Sequence, residues 1–132
     1  MADTNLIAYF FLHGEYSDLA EKAFRKDSQW VAPLLWRSEF RSVMLKCIRD
    51  DYIKFNDAVQ IVGEAEGFMM TREYTVGSLD VLRLASSTDC SAYDAEFVVL
   101  AQELGIPLVT LDTIILKAFP ETAIRLDRFV SG

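Results

Sequence analysis

Apolar positions recur along this chain at two spacings. From Leu34 to Asp50, Trp36, Phe40, Val43, Met44 and Cys47 share one face at the 3.6-residue period of a helix. A second helix is predicted from Ile53 to Glu66 on Phe55, Ala58, Val59, Ile61, Val62 and Ala65, with Gly67 ending it. Helical spacing resumes from Leu79 to Ser87, where Val81, Leu84 and Ala85 fill the inner side, and again from Ala92 to Leu104, closed by Gly105. Nearer the start, Thr4 to Leu12 reads as a strand end passing into a helix rich in Leu6, Ile7, Tyr9, Phe10 and Phe11, stopped by Gly14. Ser17 opens another helix, with Leu19, Ala20, Ala23 and Phe24 as its stripe through Lys26.

The other spacing is a short continuous run. Trp30-Val31-Ala32, ended by Pro33, and Pro107 to Leu111 read as buried strands of the kind found in parallel sheets. Met69 to Val76 is a connector with a possible strand, Thr113 to Phe119 a short helix, and Ala123 to Leu126 a last strand. Strands alternating with helices of this length predict one α/β domain over residues 1–132, with a central, mostly parallel sheet. The apolar surface of Tyr9, Phe10, Phe11 and Leu12, with the helices from Leu34 and Ile53, exceeds what a small core obviously needs; part of it is a candidate interface, and packing inside is the plainer reading for any single residue.

Composition narrows the chemistry. With 52% hydrophobic and 25% charged residues the chain is of ordinary globular type, and no apolar run is long enough to span a bilayer. No signal-like start is evident, so a soluble, cytoplasmic protein is expected. Cys47 and Cys90 are too few and too far apart for a disulfide scaffold or a zinc site. His13 is the only histidine, which excludes a two-histidine ribonuclease, a His-rich zinc site and a HExxH protease. A net charge of −7 argues against electrostatic clamping of nucleic acid, but a bound divalent ion can reverse the sign of an acidic pocket locally.

Four acids sit where such a pocket would form. In open α/β sheets, sites lie beyond the carboxyl ends of the strands. Asp3 follows a minimal first strand, Asp112 follows Val109-Thr110-Leu111, Asp94 heads the helix leading back into that strand, and Glu39 lies one turn into the helix after Trp30-Val31-Ala32. Each has a plainer reading. Asp3 and Asp112 could be helix N-caps, Asp94 the acid of a Ser-x-x-Asp capping box begun by Ser91, and Glu39 a surface residue. Against these stand the positions of Asp94 on the face of Phe97, Val98, Ala101 and Leu104, and of Glu39 with only Ser42 and Val43 three and four residues on. Converging carboxylates would repel one another unless they held a hard cation, for which Mg²⁺ or Mn²⁺ is suited.

Asp3-Thr4-Asn5, Glu39 within Trp36-Arg37-Ser38-Glu39-Phe40, Asp94 within Ala92-Tyr93-Asp94-Ala95, and Thr110-Leu111-Asp112 together resemble a PIN domain, and more narrowly the VapC-type toxin ribonucleases. The resemblance spans nearly the whole chain and is most specific from Tyr93 to Asp112. It implies a three-layer α/β/α fold and Mg²⁺- or Mn²⁺-dependent endoribonuclease activity. Asp3, Glu39, Asp94 and Asp112 match the family's acidic quartet, Thr110 its hydroxyl beside the last acid, and Asn5 its polar residue after the first. It further implies RNA as substrate, a homodimer, and a protein antitoxin that often inserts a basic residue into the carboxylate pocket. The chain departs from the family in having only two residues before its first Asp, and in offering only Lys117 as a base soon after Asp112.

On this reading Asp3, Asp94 and Asp112 hold metal while Glu39 orients or deprotonates the attacking water. Arg37, Arg41, Lys46 and Lys117 are candidate RNA contacts, with solvated surface charge the plainer reading of any one of them, and Asp89 is a helix-end residue, a supporting acid or an outlying ligand. Two other classes compete. One is a PIN-like binding or regulatory module without useful catalysis. The other is a phosphoryl-transfer protein with an Asp nucleophile, but Asp3-Thr4-Asn5 lacks the second acid of an Asp-x-Asp phosphatase.

Overall fold

A computed structural model describes residues 1–132. Eight helices surround four short strands: α1 Thr4–Phe11, α2 Ser17–Lys26, β1 Ala32–Pro33, α3 Trp36–Arg49, α4 Phe55–Met69, β2 Glu73–Tyr74, α5 Ser78–Ser86, α6 Ala92–Leu104, β3 Leu108–Thr110, α7 Thr113–Ala118, β4 Ala123–Arg125 and α8 Leu126–Ser131. The arrangement is the expected three-layer α/β/α domain.

The sheet is held together at its centre by the two residues before Asp3. β1 pairs in parallel with β2, Ala32 opposite Glu73 and Pro33 opposite Tyr74. β3 pairs in parallel with β4, from Leu108 opposite Ala123 to Thr110 opposite Arg125. Between the two pairs, the Ala2 N–H donates to the Val31 carbonyl at 3.2 Å, and the Val109 N–H donates to the Met1 carbonyl at 2.9 Å. Ala2 thereby forms a parallel bridge with Val109. Ala2, Ala32 and Leu108 are fully buried, and α6 packs across β1 and β3 with Ala95, Val98 and Ala101 equally buried. The alanines among them, Ala2, Ala32, Ala95 and Ala101, let helix and sheet approach closely.

Several boundaries differ from the sequence reading, each for a local reason. Thr4 is already helical, because Asp3 caps α1 directly. Pro33 lies within β1; the donors to β2 come from Ala32 and Leu34, so the missing N–H of Pro33 takes nothing from that ladder. Gly67 does not end α4, which runs on to Met69, a fully buried anchor. The last strand stops at Arg125, and Leu126 instead begins α8, which packs against α2. Its apolar Leu126, Phe129 and Val130 form little more than one turn, too short a repeat to announce a helix.

Much of the apparent excess of apolar surface is absorbed. Phe10, Phe11, Phe24, Trp30 and Phe68 form one aromatic cluster, with Phe10 stacked on Phe24 at 4.7 Å and set edge-on to Trp30 at 5.2 Å. What stays exposed includes Leu45 on α3 and Phe55 and Val59 on α4, within the helices named for the excess, and Leu79 and Leu82 on α5. No helix is long and apolar enough to cross a membrane.

The turn from α6 into β3 depends on Gly105, the C-cap, which adopts φ +66° and donates its N–H to the end of the helix. A Cβ there would meet no atom within 4 Å, so only the backbone conformation resists substitution. Gly105→Ala is expected to lower unfolding free energy by about 1 kcal/mol, measured by urea denaturation, with the fold unchanged.

Candidate active site: a carboxylate pocket

Asp3, Glu39, Asp94 and Asp112 open into one pocket of about 470 Å³, although 109 positions separate the first from the last. Asn5, Thr4, Ser38, Ser42, Tyr93 and several apolar side chains complete its wall, and no lysine or arginine lines it.

Asp3 lies deepest. It is 9% exposed, and both of its oxygens are engaged. Oδ1 accepts the Leu6 N–H at 2.8 Å, which caps α1, while Oδ2 accepts the Thr110 hydroxyl at 2.6 Å. Thr110 Oγ1 in turn accepts the Asp112 N–H at 3.0 Å. One buried hydroxyl therefore ties the first acid to the last. Asp112 caps α7, its Oδ1 accepting the N–H groups of Ile114 and Ile115. Glu39 is half-buried, and its Oε1 accepts the Thr4 hydroxyl at 2.7 Å. Asp94 stands in the first turn of α6, whose N-cap Ser91 accepts the Asp94 N–H at 3.0 Å.

Asp3 and Asp112 are thus helix N-caps and pocket residues at once, while at Asp94 the cap is Ser91 and Glu39 caps no helix. The position of Asp94 needs correcting, however. It is half-buried at the pocket rim, not centred on a buried face; α6 is buried from Phe97 to Ala101 almost all the way round, and Leu104 is 38% exposed.

The electrostatics follow from burial and crowding. Burial, reinforced by Asp112 and Glu39 and partly offset by the Thr110 and Leu6 hydrogen bonds, pushes the Asp3 carboxyl up to about 6. Burial also raises Glu39, against the Thr4 hydrogen bond and with help from Asp94 and Glu96. Asp94 is raised by burial and by Asp112. These mutual repulsions show that the four carboxylates share one field. Their donors are all oxygens and no base neutralises them, so the residues fit a hard divalent cation. As they stand, no three acidic, histidine or cysteine side chains are drawn together closely enough to hold a metal ion.

The remaining sequence candidates fall outside the pocket lining. Arg37 is held by Glu73, its Nη2 donating to Oε1 at 2.8 Å, and pairs with Glu66 at 3.5 Å. Arg41 pairs with Glu66 and Lys46 with Asp50. Lys117 and Asp89 are exposed and line no part of it. Conversely, sequence reasoning gave no role to Thr4, Ser38, Ser42 or Tyr93. Their signal was adjacency: Thr4 follows Asp3, Tyr93 precedes Asp94, and Ser38 and Ser42 flank Glu39 on its helix.

Comparison with known proteins gives this geometry a family. The PIN domain family matches residues 1–121, and the chain belongs to it. It is similar to Ribonuclease VapC3 of Pyrobaculum aerophilum, with 26% identity over 123 residues, covering 91% of this chain and 94% of that protein. The crystal structure of PAE2754 from Pyrobaculum aerophilum shares the fold, with a TM-score of 0.77 and 21% identity over 98% of this chain and 92% of the other.

A pH dependence follows for the metal-free protein. Between about pH 4 and 6 an unfolded Asp3 has released its proton while the folded one keeps it, so stability falls as pH rises through that window and levels off above it. The stability difference between wild type and Asp3→Asn, measured by urea unfolding, is expected to shift against wild type by roughly 2–3 kcal/mol from pH 4 to pH 7. A constant difference across that range would contradict the raised Asp3.

Proposed function

We propose that this chain is a divalent-metal-dependent endoribonuclease that hydrolyses RNA phosphodiesters, acting as the toxin of a type II toxin–antitoxin pair. The carrying observation is the shared pocket of Asp3, Glu39, Asp94 and Asp112. Membership of the PIN family and similarity to a protein named as a ribonuclease support it.

Asp3, Asp94 and Asp112, with Glu39, would hold Mg²⁺ or Mn²⁺. The bound ion supplies a water of lowered pKa and neutralises charge on the scissile phosphate. The protein's own groups do the rest. Thr110 fixes the Asp3 carboxylate against the sheet, and Thr4 holds Glu39 by Oε1, which leaves Oε2 to take a proton from the attacking water. Asn5, exposed at the pocket wall, offers an amide to the phosphate or ribose. No covalent intermediate is needed, so a chain without a histidine in the pocket can perform the reaction.

An acidic pocket without its own base is complementary to an inserted arginine or lysine, which suits inhibition by a protein antitoxin. Leu79 and Leu82, both more than 60% exposed on α5, are suited to a homodimer contact. A cytoplasmic location accords with that partnership.

Asp94→Asn removes one charge at the rim while keeping the Ser91 cap, which uses the backbone N–H. It is expected to reduce Mn²⁺-dependent cleavage of RNA at least a hundredfold, on the order of what one acid–base or charge-stabilising group contributes, with circular dichroism unchanged. Cleavage at the wild-type rate would remove Asp94 from the site. A wild-type protein that cuts no RNA in Mn²⁺ would leave a PIN fold serving as a binding module.

A further inference from the structure

One charged cluster has no part in the chemistry proposed so far. Arg37, Arg41, Glu66 and Glu73 join α3 to α4 and β2, and none of them lines the carboxylate pocket. At its centre is Glu73, whose side chain is only 9% exposed. Its Oε2 accepts the Trp36 indole N–H at 2.7 Å and the Arg37 Nε–H, while its Oε1 accepts an Arg37 Nη2 N–H at 2.8 Å. The hydrogen bonds from Arg37 hold the Glu73 carboxyl below the usual carboxylate range, so it is charged at neutral pH. Arg37 Nη1 lies 3.5 Å from Glu66 on α4, and Arg41 reaches the same carboxylate at 3.5 Å.

What this clamp holds is the first turn of α3. A helix start is ordinarily fixed by a side chain that caps its free N–H groups, but Leu35 stands at the N-cap here and makes no such bond. Glu73 fixes the start by another route, taking the side chains of the first two helical residues from a neighbouring strand. That strand is itself fixed. Glu73 lies opposite Ala32, with the Ala32 N–H donating to the Arg72 carbonyl at 3.2 Å and the Leu34 N–H to the Tyr74 carbonyl at 2.9 Å. Trp36 is fully buried and set edge-on to the buried Phe40 at 5.4 Å. Glu39 comes between these two rings in sequence, its N–H donating to the Leu35 carbonyl and its Oε1 accepting the Thr4 hydroxyl. The direction in which Glu39 enters the pocket therefore depends on a turn that Glu73 anchors.

Resting on the nuclease reading, we infer that Glu73 is a positioning residue for Glu39: through Trp36 and Arg37 it fixes the first turn of α3, so that Glu39 Oε2 stays aimed at the attacking water. A buried ion pair contributes little net stability once desolvation is counted, but a forked one holds its partners in a single orientation. Orientation is what the reaction needs, since displacing a reacting group by about 1 Å can slow a reaction roughly a hundredfold. Glu73 lines no part of the pocket, so its effect falls on turnover and not on RNA affinity.

The test compares cleavage of one RNA in Mn²⁺ by wild type, Glu73→Gln, Glu39→Gln and the double variant, and follows backbone amide exchange in each metal-free protein. Glu73→Gln keeps an oxygen for the Trp36 indole and loses the charged fork. It is expected to lower kcat about tenfold or more, with KM changed less than about twofold. Exchange at the amides of Glu39 and Phe40 is expected to quicken about tenfold while that of α6 stays unchanged. The double variant is expected to be no slower than Glu39→Gln alone, because residues that act as a unit do not add. A wild-type kcat in Glu73→Gln, or the same fractional loss with and without Glu39, would overturn the inference while leaving the nuclease reading intact. If Glu73→Gln does not fold, Arg37→Lys, which keeps the charge but not the fork, takes its place with the same expected and contrary outcomes. A wild type that leaves the RNA uncut would overturn the nuclease reading, and this inference with it.

Discussion

The hydroxyl of Thr110 holding the carboxylate of Asp3 is the contact on which the rest of the site depends. It spans 107 positions of sequence and lies in the protein interior. Through its two oxygens Asp3 fixes the start of α1 by the Leu6 N–H and the end of β3 by Thr110, and Thr110 then fixes the Asp112 N–H that leads into α7. A carboxylate is costly to bury, and its raised pKa records that cost. The hydrogen bonds offset part of it and give the first and last acids a fixed relative position. Replacing Thr110 by valine would preserve shape and remove that positioning, leaving a buried acceptor without its partner.

Beside that contact, Met1 and Ala2 bridge β1 and β3 through hydrogen bonds to Val31 and Val109. From that central place in the sheet the chain turns at once into α1, so Asp3 emerges at the carboxyl edge beside Asp112. Glu39 reaches the same edge from α3 and Asp94 from the N-terminus of α6. The caps and the pocket are one arrangement, since capping a helix N-terminus aims a carboxylate toward the end of the element that carries it.

Much of this was legible in the sequence because it depended on local rules. The helix from Ala92 to Leu104 with its Ser91 and Gly105 boundaries was fixed by capping chemistry, and the α/β alternation by periodicity. Order and setting pointed to the four acids. What could not be read was nonlocal. Nothing in Thr4 says that its hydroxyl will meet Glu39, and nothing in Arg37 says that Glu73, 36 positions away, will take it from any substrate. The burial of Asp94 was misjudged for a related reason: a helix buried on nearly all sides has no single inner face, so a periodic pattern cannot place a residue at its rim.

The central claim is that these acids form one cation site built around Asp3. Calorimetric titration of Mn²⁺ into the wild-type protein and into Asp3→Asn tests it most directly. The account predicts that wild type binds Mn²⁺ at neutral pH and that Asp3→Asn, still folded, binds at least tenfold more weakly. Absence of binding by wild type, or equal binding by the two proteins, would contradict it.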